Sequence, residues 1–144
     1  MEFSIEAQRK YIRIPFKSHG RDFSGCDCGG LVWLVYRNEL GIELPDWRDM
    51  YSGTRIENSL ELEETVSTVL GENAVEVDLK DAKPFDVVSF RIKDSSMHVG
   101  LVINKHIFFH IMEGYTKVVA ERFSNPQWRG RVTGCFRHAA MFSK

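Results

Sequence analysis

An α+β fold is expected for this 144-residue chain on three observations. The first half carries helical signals, with apolar runs set between capping residues and stop glycines. The second half changes to short β-branched and aromatic runs. The connections between those runs are too short for crossover helices, so the sheet they form should be antiparallel. Helices first and a meander afterwards define the α+β class. No repeat, low-complexity tract or linker divides the chain, so residues 1–144 are read as one domain.

Residues 4–12 form a weak helix candidate that Pro15 brings to an end. Residues 28–40 predict a buried helix around Leu31-Val32-Trp33-Leu34-Val35-Tyr36, capped by Asp27 and stopped by Gly41. A loop with Pro45, Asp46 and Gly53 leads to a second helix at about 59–70, where Asn58 and Glu61 resemble a capping box and Gly71 follows the end. Strands are then expected at 87–92, 99–103, 107–111, 117–120 and 131–137, about five in all.

Composition excludes several function classes. Lys plus Arg total 19 against 20 acidic residues, and a net charge of −1 carries no nucleic-acid signal. No apolar run is long enough to span a bilayer. Met1-Glu2-Phe3-Ser4-Ile5-Glu6 lacks the basic start and apolar core of a signal peptide, so synthesis in a cytoplasm is expected. Three cysteines, an odd number, argue against a disulfide framework.

The chemistry-bearing residues are Cys28, His98 and His110. A thiol at a helix start feels unpaired amides and the positive end of the dipole, which favour thiolate. It needs a base, and the base needs a third group to orient it. If Val102 pairs with His106, His98 stands directly opposite His110; a shift of one residue would put the two rings on opposite faces. Cys26 and Cys28 with His19 or His106 make a poor zinc set, because no second cysteine pair exists. No metal or cofactor is expected. Cys135, Trp33 and Tyr36 read as core, and His19, His106 and His138 as surface groups.

Asp27-Cys28-Gly29-Gly30-Leu31-Val32, His98-Val99-Gly100-Leu101-Val102 and Phe109-His110 resemble the nucleophile, base and third-residue motifs of the NlpC-type cysteine peptidases. Pro84 to Phe90 resembles the strand leading into that family's site, and the likeness runs from about Tyr11 to Arg137. It is strongest with short members encoded among bacteriophage tail genes: Arg21 to Cys28, Leu40 to Pro45 and Ser124-Asn125-Pro126-Gln127-Trp128 match their pattern. Two positions depart. Phe16 stands where many members carry a tyrosine, and Gly29 where phage members commonly carry tryptophan.

The resemblance implies a papain-like fold, with the nucleophile at the start of a buried helix packed on the sheet. It implies Cys28 as nucleophile, His98 as general base and His110 as the group orienting His98, with Asp27, Gly29 and Phe16 in contact with substrate. The implied reaction is hydrolysis of peptidoglycan stem peptides at a γ-D-glutamyl–diamino acid type bond. The implied setting is a phage tail, with hub or tip proteins as partners and the host envelope as the place of action. A structural tail-tip component with a vestigial or blocked site is the alternative, and Phe16 favours it.

Overall fold

A computed structural model describes residues 1–45, 70–92 and 96–143. The expected helix at 59–70, with its Asn58 and Glu61 cap, lies outside the described residues apart from Leu70. The sheet is the larger element. Six strands lie in the order β3 (Ala74–Val77), β8 (Val132–His138), β4 (Val87–Ile92), β5 (Ser96–Asn104), β6 (Ile107–His110) and β7 (Val119–Arg122). Every neighbouring pair is antiparallel. One strand was not expected: Ala74-Val75-Glu76-Val77 is short and half exposed, and pairs with β8 at the sheet edge. A two-stranded hairpin, β1 (Arg21–Asp22) and β2 (Gly25–Cys26), was missed for the same reason of length.

Helix α1 covers Ile5–Arg9, with the Ser4 side chain accepting from the Ala7 amide. Helix α2 covers Cys28–Val35 and continues as a π-helical turn from Tyr36 to Leu40. Gly41 ends it at φ 66°, a conformation that costs glycine nothing. The cap and the stop therefore fall where Asp27 and Gly41 predict. Among the described residues no helix is long and apolar enough to cross a membrane.

Strand alternation divides the sheet's side chains between two cores. Val87, Val99, Leu101, Ile103, Phe109 and Phe136 pack with Leu31, Val32 and Val35 of α2. Val88, Phe90, Val102, Phe108 and Cys135 point the other way and are covered by Trp128, which is 2% exposed. Cys135, Trp33 and Tyr36 take their expected packing roles. His138 does not. It is buried, its ring 6.3 Å from that of Tyr36, and its Nδ1 accepts from the Ala140 amide at 3.1 Å. The strand simply runs one residue further than the apolar pattern shows, carrying His138 inward.

One buried ion pair ties the sheet to the turn before it. Arg137 donates from Nε and Nη2 to the two carboxylate oxygens of Asp86 at 2.9 and 2.8 Å, and its Nη2 also donates to the Asp81 carbonyl. Asp86 is 1% exposed and further accepts from the Lys83 amide. The preceding residue, Phe85, sits at φ 76° with its carbonyl accepting from Tyr36 Oη, so the turn, α2 and β8 share one polar junction. Removing one partner strands a buried charge. Arg137→Ala should cost about 3 kcal/mol in urea unfolding; a loss below about 1 kcal/mol would mean that water reaches Asp86 as soon as the guanidinium is gone.

Candidate active site

The site begins with a cap. Asp27 is 1% exposed, and its Oδ1 accepts from the Gly30 amide at 2.8 Å and from Arg21 Nη1 at 2.9 Å. Its Oδ2 accepts from the His19 amide at 2.8 Å. Both oxygens thus serve the fold. Gly29 is buried in the first turn of α2, while Phe16 is half-buried and bridges to Cys26. The loop approaches the helix so closely that a Cβ on Gly30 would lie 2.0 Å from the Gly20 carbonyl oxygen.

Cys28 is the first residue of α2 and 5% exposed, and the backbone amides of Val99 and Gly29 favour its thiolate form. Val99 packs on the α2 side of β5 with Cys28, while His98, one residue earlier, packs with Phe90 and Trp128. Burial pushes the Cys28 thiol up to about 12, the Asp27 carboxylate adds to the rise, and the two amides oppose it. The helix start alone favours thiolate; full desolvation outweighs it here, so the resting group is a neutral thiol.

His98 and His110 lie on the same face of the sheet, 2% and 0% exposed, with His98 Nε2 and His110 Nδ1 2.7 Å apart. Their register differs from the expected one. Val102 pairs with Phe108 and Leu101 with Phe109, and the ladder shifts between Val102 and Asn104. His98 and His110 are therefore diagonal neighbours two residues apart, not directly opposite. The displacement is even, so both rings stay on one face. Gly100 makes the diagonal short: a Cβ there would lie 3.1 Å from the Phe109 carbonyl oxygen and 3.3 Å from the His110 Cβ.

Aromatic rings close the other sides. Trp128 stacks on His98 at 5.8 Å and meets His110 edge-on at 4.9 Å. Phe90, Phe108 and Tyr115 complete the enclosure. On the next strand stands Glu121, which sequence reasoning missed. Its Oε2 is hydrogen-bonded to His110 Nε2, and also accepts from Tyr115 Oη at 3.1 Å and Trp128 Nε1 at 3.0 Å. Glu121 pairs with Phe108 across the ladder, which places it on the histidine face. The available signal was its even spacing from Val119, opposite His110. Among the described residues, no group of three His, Cys, Asp or Glu side chains could hold a metal ion.

The sequence profile of the NlpC/P60 family matches residues 13–137. This chain belongs to the NlpC/P60 family. It is 25% identical over 118 residues to an Escherichia coli K12 protein described as murein DD-endopeptidase MepS/murein LD-carboxypeptidase. The match covers 82% of this chain and 52% of that protein, so the chain spans about half the length of the curated relatives it matches. An NLP/P60 family protein from Staphylococcus aureus aligns with 96% of this chain and 43% of its own, at TM-score 0.62 and 19% identity. The NlpC/P60 domain of the peptidoglycan hydrolase SagA aligns over 90% and 91% of the two chains, at TM-score 0.58 and 20% identity. At these identities the structural likenesses establish the fold, which is the papain-like α+β arrangement that the sequence predicts.

Burial holds the His110 imidazole below its ordinary 6.5, against the pull of Glu121, and the bond from His110 holds Glu121 below its ordinary 4.5. Above pH 6.5 the histidine is neutral folded or unfolded. Below it, the unfolded chain takes up a proton that the folded chain resists, so stability falls. Glu121 stabilises the fold above its unfolded value and loses that contribution as pH drops through the lower folded one. Both act in one direction. The melting temperature should fall steadily from about pH 6.5 downward, and His110→Gln should remove the upper part of that slope; an unchanged slope in the variant would assign it to other groups.

Proposed function

We propose that the domain is a cysteine peptidase acting on peptidoglycan stem peptides. The carrying observation is the buried hydrogen-bonded pair His98–His110 on the sheet together with a cysteine at the start of the helix that packs on it. Cys28 is the nucleophile in this reading, His98 the general base and His110 the group that orients it. As sulfur bonds to the peptide carbonyl carbon, the thiol proton passes to His98. Collapse of the tetrahedral intermediate breaks the C–N bond and His98 returns the proton to the leaving amine. Water then attacks the thioester, giving one proton to His98, and the departing sulfur recovers it.

The first turn of α2 offers an oxyanion donor. The Gly30 amide is taken by Asp27, and the Cys28 amide at the helix start is the one assigned to the developing charge. The neutral resting thiol fits a base that removes its proton during attack. For the bond cleaved we infer the γ-D-glutamyl–diamino acid type that the family resemblance implies. Family membership and the murein endopeptidase named among the relatives support a peptidoglycan substrate.

The setting we infer is a phage or prophage tail, with tail hub or tip proteins as partners and the host envelope as the place of action. The segments Arg21 to Cys28, Leu40 to Pro45 and Ser124 to Trp128 support it through their likeness to phage members. The alternative is a tail component without catalysis. Two observations favour it: Phe16 in place of the family tyrosine, and the deep burial of Cys28.

Digestion of defined muropeptides, with products read by mass spectrometry, separates the readings. Wild type should release the peptide beyond the γ-D-glutamyl bond, Cys28→Ala should release none, and His98→Ala should be slower by about a thousandfold or more. Wild type without cleavage, together with a Cys28→Ala protein that still supports particle assembly, would establish the structural alternative.

A further inference from the structure

We propose that Glu121 is a positioning residue that fixes the order of protons along His110 and His98. The inference rests on the peptidase reading above, but its first observable does not depend on turnover. A carboxylate only accepts hydrogen bonds, so a bond between His110 Nε2 and Glu121 Oε2 requires the proton on His110 Nε2. A neutral His110 with its proton there presents a lone pair at Nδ1. That nitrogen faces His98 Nε2 at 2.7 Å, so His98 must donate from Nε2. The neutral His98 then carries its lone pair on Nδ1, which is the form a general base for Cys28 needs. Each tautomer follows from the one before, and the series ends on a charged acceptor.

The surroundings commit Glu121 to this duty. One oxygen, Oε2, takes all three bonds, from His110, Tyr115 and Trp128. The indole and phenol donors hold it against the His110 ring. Trp128 also stacks on His98, so one side chain aligns the carboxylate and walls the base. Glu121 is half-buried while His110 is fully buried, which leaves the one formal charge of the series where water can reach it. Burial favours the neutral form of His110.

The test combines a spectroscopic and a kinetic reading on the full chain. Long-range ¹H–¹⁵N correlation of the imidazoles near neutral pH should show wild-type His98 and His110 both protonated at Nε2. Glu121→Leu keeps the approximate size and removes the acceptor that His110 needs. It should lose the single tautomer pattern and lower kcat on muropeptides by about 10- to 100-fold with KM within about twofold. Glu121→Asp, which keeps the charge on a shorter arm, should recover part of kcat. A proton on His110 Nδ1 in wild type would overturn the proposal. So would Glu121→Leu retaining wild-type tautomers and kcat while only its melting temperature falls. If wild type shows both Nε2 protons but cleaves nothing, the proton order stands and the peptidase reading is what fails.

Discussion

A single buried carboxylate decides where the reactive helix begins. Asp27 accepts from the third residue of its turn, from a guanidinium and from a loop amide, all at 2.8 to 2.9 Å. A capping side chain alone contributes about 1 kcal/mol. The larger constraint is that a carboxylate this deeply buried demands these partners at once. Arg21 arrives from β1, His19 from the loop at φ 64°, and Gly30 from α2. The three segments cannot move apart without exposing a dry charge, and Cys28 is covalently next to that junction. The place of Cys28 is therefore set by the electrostatics of its neighbour more than by its own packing.

The opposite wall of the site depends on sheet geometry. A shift in the β5–β6 ladder moves the two histidines from facing positions to a diagonal, where Cβ atoms lie farther apart. Gly100 compensates by letting the strands' side chains close over an empty position. The resulting bond joins two rings across two strands, and Glu121 extends it to a third. Three adjacent strands of one sheet thus contribute one side chain each to a straight polar line, with Trp128 bridging its ends.

What was legible in the chain follows from how local each signal is. Asp27, Gly41 and the apolar run between them specify α2 through contacts within a few residues, and the helix falls where they place it. The strands carrying His98 and His110 were recognisable because each is a continuous apolar run. Their register was not, since an irregular pairing near the turn leaves no mark in a single strand's pattern. Ala74–Val77 was missed because its side chains alternate between half-buried and exposed, so it lacks the hydrophobic contrast that announces a strand. Glu121 was missed for a related reason. A glutamate on an edge strand reads as a solvated group until the strand's neighbour is known. Its meaning lies in residues 11 and 6 to 7 positions away, His110, Tyr115 and Trp128, which only the folded sheet brings to one oxygen.

Burial gives this site a consistent electrical state. It raises the thiol of Cys28 and lowers His110, so both prefer their uncharged forms. A resting thiolate–imidazolium pair would have to be sustained in that environment by partners, and the amides at the sulfur do not offset the desolvation. The charge is instead kept on Glu121, at the solvent side. In the proposed reaction, proton transfer from Cys28 creates charge only while the substrate carbonyl is under attack, when the Cys28 amide is the donor assigned to the oxyanion. In the same proposal His98 is an imidazolium for that interval alone, and the bond through His110 to a carboxylate supports it most at that moment. An interaction that strengthens as charge develops lowers the barrier without holding the resting state, which is the requirement for acceleration.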